Sequence, residues 1–400
     1  MRILHVLHTS LPYLCGYSIR SNQIITLQRN MGMEIAAVTS AQQPDHAVDE
    51  SREGIQYFRT RVGSLARSPV REIQLIRALA ARLSQVVDEF RPDILHAHSP
   101  VLVGLPAYQV ARRIGVPLVY EVRDLWENAS VDRGKFGHGS VLYRIAQYAE
   151  SWLLRRADAV VTIGDTLRSN LVERTSKEVF VVPNGASPDA FEPVEPEPGW
   201  VQEWNPGGEQ LIAYLGSFQP YEGLDTLIRS MRTISERMSA VRLLIVGDGA
   251  ERAGLEKVAA ESGVADRVTF TGRIPHDRVR EVYAVADLLV YPRISTLTTR
   301  LTTPLKPLEA LAMEKAVLAS NLPAMRELLV ENETALMFEP GDPESLAAQA
   351  VRLLTDGELR KRLGTAGRQW LIGERRWDLS VARYEPIYTR LANKTGAGSR

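Results

Sequence analysis

The chain has a single cysteine, Cys15, among 400 residues. No internal disulfide can form, which fits a reducing compartment. Cys15 reads either as a small loop residue or as a nucleophile, and no Cys-His pattern surrounds it. An excess of charge of one sign is also missing: 48 Lys and Arg face 48 Asp and Glu. That balance excludes a nucleic-acid binder relying on bulk positive charge. No apolar run approaches the roughly 20 residues needed to span a bilayer. The first residues, Met1 to His8, form a short apolar strand without the longer apolar region and small-residue cleavage site of a signal peptide. The expected location is the cytoplasm, with peripheral contact to the inner face of the membrane as a further reading.

What is present is an ordinary globular composition, 44% hydrophobic and 24% charged, in a chain too long for one core. Short apolar runs alternate with helical patterns, interrupted by one proline- and glycine-rich break from Pro188 to Gly199 and Asn205 to Gly208. A linker there separates residues 1–200 from 207–372. Alternation on both sides implies an α/β protein of two doubly wound, Rossmann-like domains facing each other across a cleft. The last residues, 395–400, read as frayed.

The stretch from Tyr291 to Ser320 is the most informative. An apolar run ending at Tyr291 reads as a buried parallel strand. A polar loop of Ser, Thr and Arg follows, then Pro304-Leu-Lys306-Pro-Leu-Glu309 opens an Ala/Leu/Met-rich helix. A strand, a turn and a helix start form the ligand corner of an open α/β sheet. Free N–H groups at the helix start suit a phosphate. Lys306 adds formal charge, and Glu309 is placed to accept hydrogen bonds from ribose hydroxyls. The ligand that fits is a nucleotide diphosphate-sugar.

The N-terminal half offers further candidates. Gly16 lies near a helix expected from about Ser21 to Met31, where it is either a plain turn or a point of close ligand approach. His96 and His98 share one face of a strand. A zinc site lacks a third ligand at a convincing spacing; a histidine directed at a sugar and a satisfied core histidine both remain open. Glu121, Arg123 and Asp124 follow a strand tip, the edge where ligands bind, and a local Arg123–Asp124 salt bridge is the alternative. Arg59, Arg61, Arg67, Arg71, Arg77 and Arg82 surround one acid, Glu72. They read as a solvated helix face or as a patch for anionic lipid. Val141 to Arg156 reads as an amphipathic helix, packed in the core or laid on a membrane. Gly247-x-Gly249 lacks the third glycine and the later acid of a dinucleotide fingerprint.

Several of these segments together carry a resemblance: LHVLHTSLPYLCGYSIRS, HAHSPVL, YEVRDLWE, VVPNG, YLGSFQPYEGL, IVGDG, TGRIPH and TPLKPLEALAMEKAVLAS. The chain resembles the retaining nucleotide-sugar glycosyltransferases of family 4, of GT-B fold. Within them it looks closest to the exosortase-associated subgroup encoded with bacterial exopolysaccharide genes. The resemblance implies a donor held by the C-terminal domain and an acceptor, a glycan or a polyprenyl-diphosphate-linked sugar, on the N-terminal side near Glu121, Arg123 and Asp124. It also implies a C-terminal helix over 373–394 crossing back to the N-terminal domain, no metal and no cofactor.

Residue by residue, Glu309 matches the second of two glutamates eight positions apart, and Leu301 stands where the first would be. An Arg and a Lys that follow the first donor-domain strand are also absent. Ser217 follows Gly216, and Glu222 precedes Gly223. Lys306, Arg300 and Arg293 are the replacement charges for a diphosphate leaving group. The resemblance further implies that Gly16, Ser217, Gly247, Thr303 and Leu305 line the donor, that Arg273 and Ile274 hold the base, and that His98 lies near the transferred sugar. The readings set against this one are an epimerase of the same fold, a non-catalytic sugar-nucleotide binder and a nicotinamide oxidoreductase.

Overall fold

The computed structural model describes residues 1–43, 49–68 and 70–397. The chain divides into two compact units, residues 1–184 with 377–400, and residues 185–376. Each is built on one predominantly or wholly parallel sheet.

The first unit carries β1 (Arg2–Leu7), β2 (Glu34–Thr39), β3 (Glu50–Arg52), β4 (Ile55–Arg59), β5 (Ile94–His98), β6 (Leu118–Val122), β7 (Ala159–Thr162) and β8 (Val179–Val181). Their order is β3-β4-β2-β1-β5-β6-β7-β8. The short β3 pairs antiparallel with β4 at the edge. The central strands are buried on both faces, which is why they read as continuous apolar runs. The chain moves outward one way from β1 and then the other way from β5, so the topological switch lies between them.

The second unit carries β9 (Gln210–Leu215), β10 (Val241–Val246), β11 (Val268–Gly272), β12 (Leu288–Tyr291), β13 (Val317–Ser320) and β14 (Leu336–Phe338). All are parallel, in the order β11-β10-β9-β12-β13-β14. The switch here lies between β9 and β12. It places the loop after Leu215 beside the loop after Tyr291.

The join differs from the proline-rich linker expected from composition. It falls at Gly185, ahead of that run. Trp200 and Trp204 lie on a short helix, Pro198–Trp204, and bury themselves in the core of the second unit. Two large aromatic side chains tie the segment down in spite of its prolines. The residues from Trp377 onward belong to the first unit, where the helix Tyr384–Ala397 buries Tyr384 and Tyr388. Of the tail expected to fray, 398–400 lies outside the described residues, and the helix extends to Ala397.

Candidate functional site

In the second unit, glycines allow three strand ends to close in on one point. Gly216 ends β9 with φ +154, and a Cβ there would stand 2.0 Å from the Lys306 Nζ. Gly247 follows β10 at φ +131, and a Cβ there would meet the Gly216 carbonyl at 1.8 Å. At Gly247 the obstacle is backbone and only glycine fits, whereas a side chain at Gly216 would strain the left-handed turn and displace the Lys306 ammonium. The Gly247 N–H donates to the Gly272 carbonyl at 2.9 Å, and the Phe218 N–H donates to the Asp248 carbonyl at 3.1 Å.

Lys306 reaches into this corner from the start of the helix Lys306–Ala312. Its ammonium donates to the Tyr214 hydroxyl at 2.8 Å and lies 3.5 Å from Glu222 Oε2. The Tyr214 hydroxyl is 3.1 Å from both Glu222 Oε2 and the Ser217 carbonyl. Arg293 comes in from the other loop; its Nε is 3.7 Å from Glu222 Oε1, and its guanidinium donates to the Thr302 carbonyl at 3.0 Å. Glu222 and Arg293 are both buried, at 7% and 5% exposure. Burial pushes the Glu222 carboxyl up, but Lys306 and Arg293 outweigh it and hold the acid below its usual range. Burial pulls the Lys306 ammonium down, opposed by Glu222. One turn on, Glu309 accepts from the Tyr283 hydroxyl at 2.9 Å, and the Lys306 carbonyl accepts from Tyr291 at 3.0 Å. Two cations and one acid therefore meet at the C-terminal edge of the sheet, at its switch point. That arrangement suits a polyanion such as a diphosphate.

The first unit places a different cluster at its own switch point. In the register, His5 on β1 faces His96 on β5, and His98 on β5 faces Glu121 on β6. All four are fully buried. Arg123 donates to His98 Nδ1, which fixes the tautomer of that ring. His98 Nε2–H then donates to His5 Nδ1 at 2.9 Å, and His5 Nε2–H to Gln28 Oε1 at 2.9 Å. Gln28 donates to the Tyr388 hydroxyl at 2.9 Å, and Tyr388 to His96 Nδ1 at 2.7 Å. His96 Nε2 points to Glu121 Oε2 at 3.4 Å, and Arg123 Nε donates to Glu121 Oε1 at 2.7 Å, which closes a ring. Arg20 Nε also donates to Glu121 Oε1 at 3.0 Å, and Tyr384 donates to Oε2.

Every donor in the ring has one assignment if the three imidazoles are neutral. Burial lowers all three below the usual histidine range, His5 and His98 well below it. Burial pushes Glu121 up, and Arg20 and Arg123 bring it well below the usual carboxylate range. His5 is the third histidine that spacing alone did not supply. Among the described residues, His5, His96 and His98 are the one group composed like a metal site, with ligand atoms within 4.8 Å. Five of their six nitrogens hydrogen-bond to one another, Gln28, Tyr388 or Arg123, the sixth, His96 Nε2, faces Glu121 at 3.4 Å, and two guanidinium groups adjoin that acid, so the set is organised as a polar ring.

The comparisons with known proteins agree with both units. Residues 16–185 match the family model described as glycosyl transferase 4-like domain. Residues 200–370 match glycosyl transferases group 1. The chain is a GT4-type glycosyltransferase. A GDP-mannose-dependent alpha-mannosyltransferase of Mycobacterium tuberculosis (strain CDC 1551 / Oshkosh) is 26% identical over 402 residues, covering 98% of each chain. Among solved structures, sucrose-phosphate synthase of Thermosynechococcus elongatus is similar at TM-score 0.81 and 20% identity, covering 98% of each chain. HepE of Anabaena, solved in complex with UDP-glucose, is similar at TM-score 0.75 and 15% identity, covering 98% of this chain and 100% of that one. These likenesses establish two Rossmann-like domains of the GT-B kind.

Within this glycosyltransferase the candidate residues separate into groups. Lys306 and Arg293 converge, and Ser217, Gly247 and Glu309 lie on the elements that surround them. Arg300 is exposed on a short helix, Leu297–Leu301, where a polar loop was expected. Thr296 and Thr299 cap that helix reciprocally, a pattern hidden in a threonine-rich run. Thr303 is buried and Leu305 precedes the Lys306 helix. Arg273 projects to solvent, 83% exposed and 3.9 Å from Asp248, while Ile274 packs partly against the core.

The N-terminal candidates change more. His98 is enclosed by the ring rather than presented to a sugar. Arg123 turns to Glu121 instead of Asp124, and both residues are enclosed. Asp124 is half-buried, and burial raises its carboxyl. Gly16 is exposed and begins its helix outright, Gly16–Asn30, because Cys15 and Ser18 form the cap five residues earlier than expected. Glu222, which the sequence shows only as a departure from the family pattern, is the acid that Lys306 and Arg293 share. Its signal in the sequence is an acid directly before a glycine.

The basic segment also divides. Arg59 is buried and donates to Ser10, Leu11 and Glu50, and Arg82 pairs with Asp49. Arg61, Arg67, Arg71 and Arg77 stay exposed. The helix Val141–Arg156 leaves Val141, Leu142, Ile145 and Tyr148 outward, at 45–74% exposure.

Proposed function

We propose that this glycosyltransferase moves a hexose from a nucleotide diphosphate-sugar to a glycan or polyprenyl-diphosphate-linked acceptor, with retention of configuration, in bacterial exopolysaccharide assembly. The observation that carries the reading is the Lys306–Arg293 pair at the glycine-lined switch point of the second unit. A relative named for GDP-mannose and a fold neighbour solved with UDP-glucose support a nucleotide-sugar donor. The resemblance of its sequence motifs to the exosortase-associated subgroup supports the exopolysaccharide role.

In this mechanism the C1–O bond to the diphosphate breaks and its electron pair leaves with the phosphate oxygen. Lys306 and Arg293 stabilise the charge that develops there. The acceptor oxygen bonds to C1 from the same face, and its proton passes to the departing phosphate oxygen. No enzyme nucleophile and no cofactor enter the scheme. The donor is found first, from the nucleotide-sugar that most raises the melting temperature. The anomeric configuration of the glycoside is then read by NMR coupling. The donor's own configuration is expected, and an inverted product overturns the mechanism.

The acceptor side is placed at the cytoplasmic membrane face. Outward apolar residues Val141, Leu142, Ile145, Val70 and Ile73 accompany the exposed cations Arg67, Arg71, Arg133, Lys135 and Arg144. Arg71, Arg133 and Lys135 lie close enough to influence the same groups. Among the described residues, no helix is long and apolar enough to cross a membrane. Apolar insertion and about 1 kcal/mol per cation near an anionic surface together give reversible docking. Wild type is expected to sediment with phosphatidylglycerol vesicles and not with phosphatidylcholine alone, and V141E/I145E is expected to remain in solution. Equal behaviour of both proteins on both vesicles would remove the membrane assignment.

A further inference from the structure

Glu222 is an acid in a corner built for an anion, which is the wrong sign for a direct contact with diphosphate. It is nevertheless enclosed: Oε2 accepts from Tyr214 and lies 3.5 Å from the Lys306 ammonium, and Oε1 faces Arg293 Nε at 3.7 Å. It begins the turn at Gly223, where a Cβ would stand 2.1 Å from the Pro292 carbonyl, so the two switch-point loops interlock at this residue. Tyr221 and Ile294 join the same loops through a backbone hydrogen bond of 3.1 Å. The Lys306 ammonium sits against Gly216, 2.8 Å from the Tyr214 hydroxyl and 3.5 Å from Glu222 Oε2. Arg293 donates from Nη1 to the Thr302 carbonyl, but its buried Nε has no hydrogen-bond partner, so this cation keeps bonding capacity toward the corner.

We infer that Glu222 is a positioning residue of the donor site. It holds Lys306 and Arg293 side by side at the Gly216 turn and releases Lys306 to the diphosphate when donor binds. The chain thus carries its lysine on one switch-point loop and the counter-ion on the other. Interchanging the signs of Lys306 and Glu222 would keep the pair but move the cation to the loop after β9. The inference rests on the nucleotide-sugar reading given above.

The test is Glu222→Gln, with Glu222→Asp and Lys306→Met as companions. The probes are UDP and GDP, titrated by calorimetry, together with hydrolysis of the matching nucleotide-hexose. Glu222→Gln removes a competing anion, so the diphosphate is expected to bind about tenfold tighter at low salt. Its hydrolysis kcat is expected to fall about tenfold, because the ammonium is no longer held at Gly216. Glu222→Asp restores part of kcat, and in the Lys306→Met background the Gln substitution lowers kcat no further.

A merely structural role would leave one readout in place. Lys306 faces Glu222, Arg293, Glu309 and Tyr214; burial and Arg293 lower its pKa, whereas Glu222 and Glu309 raise it. Losing Glu222 removes support for the charged form, so the alkaline limb of the hydrolysis profile moves to lower pH. Wild type that binds neither UDP nor GDP removes the donor reading itself. Wild type that binds one, with affinity, kcat and alkaline limb unchanged in Glu222→Gln, removes the role of Glu222 alone.

Discussion

Glu121→Ala is expected to destabilise the first unit by about 3–5 kcal/mol, the cost of breaking a buried ion pair from one side. The substitution strands Arg20 and Arg123, both buried, and leaves Tyr384 and His96 without the carboxylate they face. Glu121→Gln keeps the shape and one acceptor but loses the charge, so it should fall between alanine and wild type. The sign with pH follows from the folded state holding this acid well below 4.5. A depressed carboxylate contributes stability above its unfolded pKa, and that contribution is lost as pH falls through the folded value. The difference between wild type and Glu121→Ala is therefore full at pH 7 and shrinks in acid. Denaturant unfolding at pH 7 measures it. A loss below about 1 kcal/mol would place Glu121 among dispensable polar residues and sink the ring as a stabilising unit.

Lys306→Met is expected to lower donor hydrolysis and transfer about a hundredfold in kcat while the far-ultraviolet spectrum stays unchanged. The methionine fills the aliphatic space of lysine, and what disappears is the ammonium beside Gly216. Glu222 then faces the diphosphate without its counter-charge, so nucleotide affinity falls as well. Arg300→Met provides the internal comparison. Arg300 is exposed on its short helix, and its removal should change kcat by no more than about threefold. Equal losses at the two positions would return Arg300 to the leaving-group role that the sequence suggested. Near wild-type activity in Lys306→Met would overturn the leaving-group assignment.

The two sheets and the corner after Tyr291 were legible because parallel strands buried on both faces leave unbroken apolar runs. Lys306 and Glu309 stood out because a lysine and a glutamate beside a proline at a helix start are few enough to be weighed singly. The helix Leu297–Leu301 was not legible: five residues give no periodicity, and its threonines read as loop. In the sequence His5 is one polar residue in an apolar strand. Its meaning depends on strand order, which brings it opposite a residue 91 positions later. The same holds for Glu121, whose partners Arg20, His96 and Tyr384 come from three distant parts of the chain. Composition also placed the join too late, since it registered prolines and overlooked how much two tryptophans bury.

The segment after Arg376 has a consequence for the order of assembly. During synthesis the second unit is contiguous and complete before Tyr384 and Tyr388 leave the ribosome. The first unit starts earlier yet finishes later, with Glu121 and the three histidines awaiting two hydroxyls encoded more than 260 residues downstream of the acid. The usual vectorial sequence, in which the amino-terminal domain matures first, is expected to be reversed for this chain.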